Sequence, residues 1–373
     1  LILAAEFVSV CDHYWRPLQN VPGTPAASQF ASRLQRARLL RERIIMWKRI
    51  VLLSAVAALV ACGQPESGPQ KLKIGYVINF MSHEWYQNIS KSAIARAAEL
   101  GVELIVADAN LDVAAQISKA ENLLAQGVAV LILSPVDAKA LGPVVKQAKA
   151  AGVKVITEAN PVPEADSYVG IDNYAGGVKA GEWFAAYAKE KGIDPKILVI
   201  GLPNFDDCRQ RVDGFKAALD AAGIAHEIVQ EVDGQGLKEK AFKVAQDALT
   251  ANPHINVIYG INDDSTTGGM AAYKAAGLDE GALTAIGFGF EGTVGQTALT
   301  GDTPYAGSLA MFPNFVGGAL IDAAIKLANG ETLPDHYETP TIVVTRDNVG
   351  QFYDVGPEPP FAMKIDAVRA MIR

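Results

Sequence analysis

From residue 71 onward, short apolar runs alternate with amphipathic stretches. Runs over 73–78, 103–107, 129–133 and 153–156 predict buried strands. Between them, residues 85–100, 113–125 and 138–150 carry the spacing of helices that bury one face. Each of these helices stops near a glycine: Gly101, Gly127 or Gly152. Glycine ends a helix well because it accepts positive φ. Strand–helix repetition at this spacing predicts a parallel sheet flanked by helices.

A short strand over 168–171 leads into Asp172 and Asn173, and there a second series begins. Its helices are expected over 174–190, 211–222, 238–250, 265–276 and 293–299. Its strands are expected over 196–201, 227–232, 256–261, 282–288 and 305–310. A helix over 315–328 and a last strand over 341–345 follow, then a tail with Pro357, Pro359 and Pro360 in its middle. So many strands exceed one ordinary sheet, and the second series starts afresh. The expected fold is therefore α/β with two similar lobes. Their bounds are 71–172 plus 312–342, and 173–311 plus 343–373. No long polar linker separates them. Three short junctions, near 170–173, 310–313 and 342–345, would form a hinge.

The N-terminal part reads differently. The chain opens with Leu1, and residues 1–45 mix Pro-rich and Arg-rich pieces. Met46-Trp47-Lys48-Arg49 is a short positive segment, residues 50–60 are an unbroken run of apolar and small residues, and Ala61-Cys62-Gly63 follows. A charged start, a short apolar middle and small residues at the cut make an export signal. The run is too short for a stable membrane span. Leu59-Val60-Ala61-Cys62 resembles the lipobox of bacterial lipoproteins. That resemblance implies a signal peptide over 46–61, lipidation of Cys62 and a polar tether over 62–70. Translation is then expected to begin at Met46, with 1–45 an upstream extension.

Composition narrows the function. Half of the 373 residues are apolar, enough for real cores. A net charge of −8 offers no basic field for a nucleic acid. Of Cys11, Cys62 and Cys208, only Cys208 would remain free in a processed chain. An exported protein without disulfides must be held by its core. There is no zinc spacing, nucleophile elbow, phosphate-binding Gly-rich loop or dinucleotide fingerprint. No catalytic set, metal or cofactor is therefore expected. The doublets Asp206/Asp207 and Asp263/Asp264 are not acid/base pairs by themselves, because adjacent side chains point apart.

The candidate chemistry lies in loops that follow strands, where open α/β sheets bind ligands. Trp85 and Tyr86 put two flat rings at one helix start. Sugar rings stack on such faces, although a core Trp85 with a surface Tyr86 is the plainer alternative. Asn262 closes a strand, and its amide both donates and accepts, which suits hydroxyl groups. Helix capping accounts for Asp264 or Ser265 more readily than for Asn262. Arg209 and Arg211 open a helix where their charge opposes its dipole, which a ligand or carboxylate would justify. Pairing with Asp206, Asp207 or Asp213 accounts for them equally well. Residues 157–161, with Glu158 and Asn160, and 287–292, with Glu291, follow two further strands.

Several ordered segments resemble bacterial substrate-binding proteins of the ribose/galactose type, the partners of sugar ABC transporters. They are Lys73-Ile74-Gly75-Tyr76-Val77 with Trp85-Tyr86, Ala97-Ala98-Glu99-Leu100-Gly101, and Gln126-Gly127-Val128 through Ser134-Pro135. Val169-Gly170-Ile171-Asp172-Asn173, Arg209 through Gly214-Phe215, Asn262-Asp263, and Gly287-Phe288 through Glu291-Gly292 complete the series. The resemblance implies two Rossmann-like lobes joined by a three-strand hinge, closing on a small ligand. It implies stacking by Tyr86 and Trp85, and hydrogen bonding by Arg209, Asn262 and Glu291. Asn160 lies where the pentose binders usually carry Arg, with Glu158 beside it. Met311 lies where they often carry Gln, and Glu291 replaces the usual Asp after an extra Gly-Phe. With these departures a different monosaccharide, a polyol or a cyclitol fits as well as ribose.

The expected partners are that ligand, the membrane permease of an ABC transporter, and a membrane reached through the Cys62 lipid; nucleic acid is not expected, and the chain is expected to act as a monomer in the cell envelope. A sensory receptor that presents its closed form to a chemoreceptor or histidine kinase is the alternative. A regulator of the lac-repressor type would need a helix-turn-helix where the export signal lies. An enzyme on the same lobes would need a catalytic set.

Overall fold

The computed structural model describes residues 71–372. Cys62, the signal segment, the tether and the upstream extension lie outside the described residues. The first series runs β1 (Lys73–Ile78), α1 (Glu84–Glu99), β2 (Glu103–Asp108), α2 (Val113–Ala125), β3 (Val130–Leu133), α3 (Gly142–Ala150), β4 (Lys154–Thr157) and β5 (Ser167–Gly170). The second runs α4 (Asn173–Lys191), β6 (Lys196–Gly201), α5 (Asp206–Ala222), β7 (Glu227–Asp233), α6 (Lys238–Ala251), β8 (Val257–Gly260), α7 (Asp263–Ala275), β9 (Thr284–Gly289), α8 (Thr293–Thr300) and β10 (Tyr305–Ala310). Then come α9 (Pro313–Ala328), β11 (His336–Glu338) and β12 (Ile342–Val344). The tail forms α10 (Val349–Phe352), a small hairpin of β13 (Tyr353–Asp354) and β14 (Ala362–Met363), and α11 (Ile365–Arg369).

Two six-stranded sheets result, in the orders β11-β5-β4-β3-β1-β2 and β12-β10-β9-β8-β6-β7. Every pairing is parallel except β10 with β12. The central strands are buried along their length, as in β3 (Val-Leu-Ile-Leu) and β8 (Val-Ile-Tyr-Gly). Covered on both faces by helices, such strands read as apolar runs rather than alternations. Helix α9 returns to the first lobe and packs on α1. Among the described residues no helix is long and apolar enough to cross a membrane.

The chain passes between the sheets after β5, after β10 and between β11 and β12. The first two passages fall where the sequence suggests. The third runs over 339–341, ahead of the expected 342–345, and Ile342 already pairs with Ala310 of the second sheet. The shift has a simple cause: His336-Tyr337-Glu338 adds to the edge of the first sheet without any apolar run to announce it.

Helices α4 and α5 approach backbone to backbone. A Cβ on Gly214 would stand 2.2 Å from the Tyr174 carbonyl oxygen, and one on Gly177 would stand 2.2 Å from that of Arg211. Only glycine permits this contact. It brings the start of α4, with Asn173, against the face of α5 that carries Arg211. Below, the Phe215 ring stacks on Tyr259 with centroids 3.9 Å apart.

Candidate ligand-binding site

The carboxyl ends of both sheets face one cavity of about 370 Å³, walled by both lobes. From the first lobe come the loop after β1 and the start of α1 (Asn79, His83, Trp85, Tyr86) and the loop after β4 (Glu158, Asn160). From the second come Asn173, Asp207, Arg211, Asn262 and Glu291. Each follows or faces the end of a central strand, where α/β sheets collect ligands.

The two rings have different settings. Trp85 is nearly buried and its indole N–H donates to Glu158 Oε1 at 3.3 Å. Tyr86 is half-exposed, and its hydroxyl accepts from Asn79 Nδ2 at 2.9 Å. Glu158 is only 2 % exposed. Ser134 Oγ also donates to it, at 2.6 Å, and Tyr76 continues the chain to Ser134 at 2.9 Å. Burial pushes the Glu158 carboxyl up to about 7, against the pull of the Ser134 and Trp85 hydrogen bonds. The short loop beyond it turns at Ala159, whose φ of 63° is uncommon for a residue with a side chain. Asn160 lies half-buried on the cavity wall.

Glu291 reaches the cleft from a second turn of this kind. Phe290 has φ 47° and Gly289 has φ 108°, and a Cβ on Gly289 would meet Glu291 Cγ at 2.5 Å. Burial holds the Glu291 carboxyl well above its ordinary range, and neighbouring Asp263 adds to the effect. Asp263 itself is buried behind the site, where Tyr305 and Ser308 donate to it and the Glu291 N–H donates to its Oδ2 at 2.9 Å.

Two sequence-based expectations need correction. Helix α5 begins at Asp206, five residues earlier than expected, so neither arginine opens it. Asp206 and Asp207 occupy its first turn, where negative charge suits the dipole. Arg209 is 50 % exposed, pairs with Asp206 at 2.7 Å and stands outside the cavity. Arg211 takes the place expected for Arg209. Its Nε donates to Asn173 Oδ1 at 2.9 Å, one terminal nitrogen donates to the Ile261 carbonyl at 3.0 Å, and the other lies 3.5 Å from Asp207 Oδ2. Its guanidinium sits over the Phe288 ring, 4.6 Å from the centroid. Helical spacing carries this signal: Gly214 and Phe215 follow Arg211 by three and four residues and are buried, so Arg211 shares their face.

The second correction concerns Asn262. It lines the cavity, but it also caps α7, accepting from the Ser265 N–H at 2.8 Å. Its Nδ2 donates to the Gly236 carbonyl at 2.9 Å. Capping therefore explains Asn262 rather than Asp264 or Ser265. His83, Asn79 and Asn173 are further wall residues without a signal in the sequence, and Asp207, expected only as a partner for an arginine, lines the wall as well. No apolar period marks them, because each sits at a loop or a helix start.

The lobes touch directly at the mouth of the cleft. His83 Nε2 lies 3.2 Å from Asn262 Nδ2. Asn88 Nδ2 donates to the Glu291 carbonyl at 2.7 Å, and the Thr293 N–H donates to Glu84 Oε1 at 2.8 Å. Helix α8 has no side-chain cap of its own, so a carboxylate from the opposite lobe serves it. Burial lowers the His83 imidazole to about 4, which keeps it neutral at physiological pH. Among the described residues no group of His, Cys, Asp or Glu could hold a metal ion.

Comparison with known proteins agrees with this geometry. The model of a family described as periplasmic binding protein domain matches residues 74–332. A D-ribose/D-allose-binding protein of Pseudomonas aeruginosa is 30 % identical over 323 residues, covering 79 % of this chain and 97 % of that protein. The solved structure of an ABC transporter solute-binding protein from Mycobacterium smegmatis with bound glycerol is 30 % identical. It superposes with a TM-score of 0.70 over 79 % of this chain and all of that one. A Caulobacter myo-inositol-binding protein, solved with myo-inositol, is 27 % identical with a TM-score of 0.68, over 78 % of this chain and 97 % of its own.

Proposed function

The chain belongs to the periplasmic binding protein family, and from that premise we propose that it captures a monosaccharide, polyol or cyclitol for an ABC permease. It is a binding protein of the sugar-transport class, not an enzyme. The carrying observation is the cavity of about 370 Å³ walled by both lobes, where the rings of Trp85 and Tyr86 stand beside buried polar groups from each lobe. Small-molecule sites run from roughly 300 to 1,000 Å³ and have this mixture of walls.

In this reading Trp85 and Tyr86 stack on the apolar face of the ligand. Glu158, Asn160, Asn262 and Glu291 meet its hydroxyls, and Arg211 fixes Asn173 and Asp207 beside them. Ligand contacts from both lobes favour the closed form, which the permease recognises. The ligand shifts the lobes only by its difference in affinity for the two forms. Transport is preferred to sensing because the similar Mycobacterium smegmatis protein is a transporter component. Leu59-Val60-Ala61-Cys62 supports a lipid anchor through Cys62 at the outer face of a membrane. The protein acts as a monomer with its cleft toward solvent.

A thermal-shift screen tests the reading, using pentoses, hexoses, polyols, inositols and amino acids. A ligand at a hundred times its dissociation constant adds about 2.7 kcal/mol, enough to raise Tm by several degrees. A polyhydroxylated hit supports the receptor. A response to amino acids alone refutes it.

A further inference from the structure

This inference rests on the binding reading above and concerns the end of the cleft away from the hinge. The hinge passages leave the sheets at β5, β11, β10 and β12, so β2 and β7 stand at the opposite edges. The loops that follow β2 and β7 are built alike. Asp108 ends one strand and Asp233 the other, and each Oδ1 accepts from the N–H two residues on, Asn110 or Gln235, at 2.9 Å. Two left-handed residues follow in both loops: Asn110 and Leu111 at φ 51° and 59°, Gln235 and Gly236 at φ 53° and 66°. One residue then caps the next helix, Asp112 before α2 and Leu237 before α6.

Each loop breaks a local rule that the other keeps. The second left-handed position favours glycine, and the β7 loop has Gly236 there while the β2 loop has Leu111. The cap position favours a side-chain oxygen. The β2 loop has Asp112, which accepts from the Ala115 N–H at 2.8 Å, while the β7 loop has Leu237, which has no oxygen to offer. Burial does not call for a leucine at either place, because Leu111 is 46 % and Leu237 38 % exposed. Both line the cavity. Local departures that bring the fold no gain are expected at functional sites.

Other apolar side chains stand with them. The Leu111 N–H donates to the Asn79 carbonyl at 2.8 Å and the Met81 N–H donates to Asp108 Oδ1 at 3.1 Å, which sets Phe80 beside the β2 loop. Leu202 Cδ2 lies 3.7 Å from where a Cβ on Gly236 would stand, and the Phe205 N–H donates back to the Leu202 carbonyl at 3.2 Å. Phe80, Leu202 and Phe205 are half-exposed and line the same cavity. Single exposed leucines are ordinary, but apolar side chains gathered from both lobes on one wall make a contact surface. A free sugar or polyol has only hydroxyls and short C–H patches to set against it. We propose that the ligand's polyhydroxylated ring carries an apolar substituent, an alkyl or aryl group in glycosidic or ether linkage, which lies between Leu111 and Leu237 at the end of the cleft away from the hinge. The substituent touches both lobes, so it also favours closure.

Titration calorimetry on the whole protein tests this with matched pairs. Glucose, galactose, xylose and ribose are each set against their phenyl and butyl glycosides in both anomers, and myo-inositol and ribitol against their benzyl ethers. At least one substituted member should bind about tenfold more tightly than its parent, a factor of about 1.4 kcal/mol that roughly 60 Å² of newly buried apolar surface supplies. Leu111→Gly and Leu237→Asp give each loop the kind of residue that its counterpart carries. Both variants should hold or raise Tm, because each restores a local preference, and both should cut the gain about threefold or more. A gain that survives intact in both variants overturns the inference. So does a parent that binds as tightly as all its substituted forms, and either result leaves the receptor reading standing. Binding by no member of any pair overturns both.

Discussion

Arg211 offers the sharpest test of the site. Arg211→Met keeps much of the side-chain volume and removes the guanidinium. The Asn173 Oδ1 and Ile261 carbonyl then lose donors at 2.9 and 3.0 Å, and Asp207 loses its cation while its Oδ1 already lacks a partner. Removing one side of a buried ion pair costs about 3–5 kcal/mol, because the remaining charge stays buried. For a domain of this size that lowers Tm by roughly 6–10 °C. Ligand affinity should fall as well, since Asn173 and Asp207 lose the group that orients them. Arg209→Ala is the control. It removes an exposed pair with Asp206, worth about 0.2–1 kcal/mol at most, and should leave affinity unchanged. Urea unfolding and calorimetry on both variants read the two quantities separately. The reasoning fails if Arg209→Ala weakens binding as Arg211→Met does, or if Arg211→Met leaves stability within 1 kcal/mol of the wild type.

Three further outcomes follow from the same geometry. Folded Glu158 holds its proton up to about 7, above the ordinary value of 4.5, so its contribution to stability is greatest below pH 4.5 and is lost as pH rises through 7, by about 3 kcal/mol. His83, lowered from 6.5 to about 4, acts in the opposite sense: its contribution is present above pH 6.5 and is lost as pH falls toward 4. Tm measured from pH 4 to 8 should therefore lose its alkaline-side decline in Glu158→Gln and part of its acid-side decline in His83→Gln. Gly214→Ala would drive a methyl into the Tyr174 carbonyl and part α4 from α5, costing about 1–3 kcal/mol in denaturant unfolding and weakening ligand binding through displaced Arg211. Glu84→Ala removes the carboxylate that caps α8 across the cleft, and a cap is worth about 1 kcal/mol, so small-angle scattering should report a larger radius of gyration for the ligand-free variant.

The parallel sheets were legible in the sequence because their strands are buried on both faces. Burial of that kind leaves continuous runs such as Val130–Leu133, and most of the helices between them end at a glycine, the helix that stops at Asn252 being an exception. The third hinge passage was not legible in the same way. His336–Glu338 earns its place by backbone pairing with Tyr168, Val169 and Gly170, and pairing leaves no mark on side-chain pattern. The candidate site shows the same division. Trp85, Tyr86, Glu158, Asn160, Asn262 and Glu291 reach the cavity because position after a strand is enough to bring a residue there. The arginine differs from the expectation because a segment resemblance fixes neighbourhood and not facing. On a helix, two residues of separation turn a side chain by about 200°. Arg209 and Arg211 therefore share a loop-side address and point to opposite environments, one to water and one to the cleft. Facing is decided by what must be buried, and Gly214 and Phe215 must be, since α4 touches the backbone at one and Tyr259 stacks on the other. Asp207 stands one turn before Arg211 on the same buried face, so the packing that turns Arg211 inward brings Asp207 to the cleft wall together with its cation.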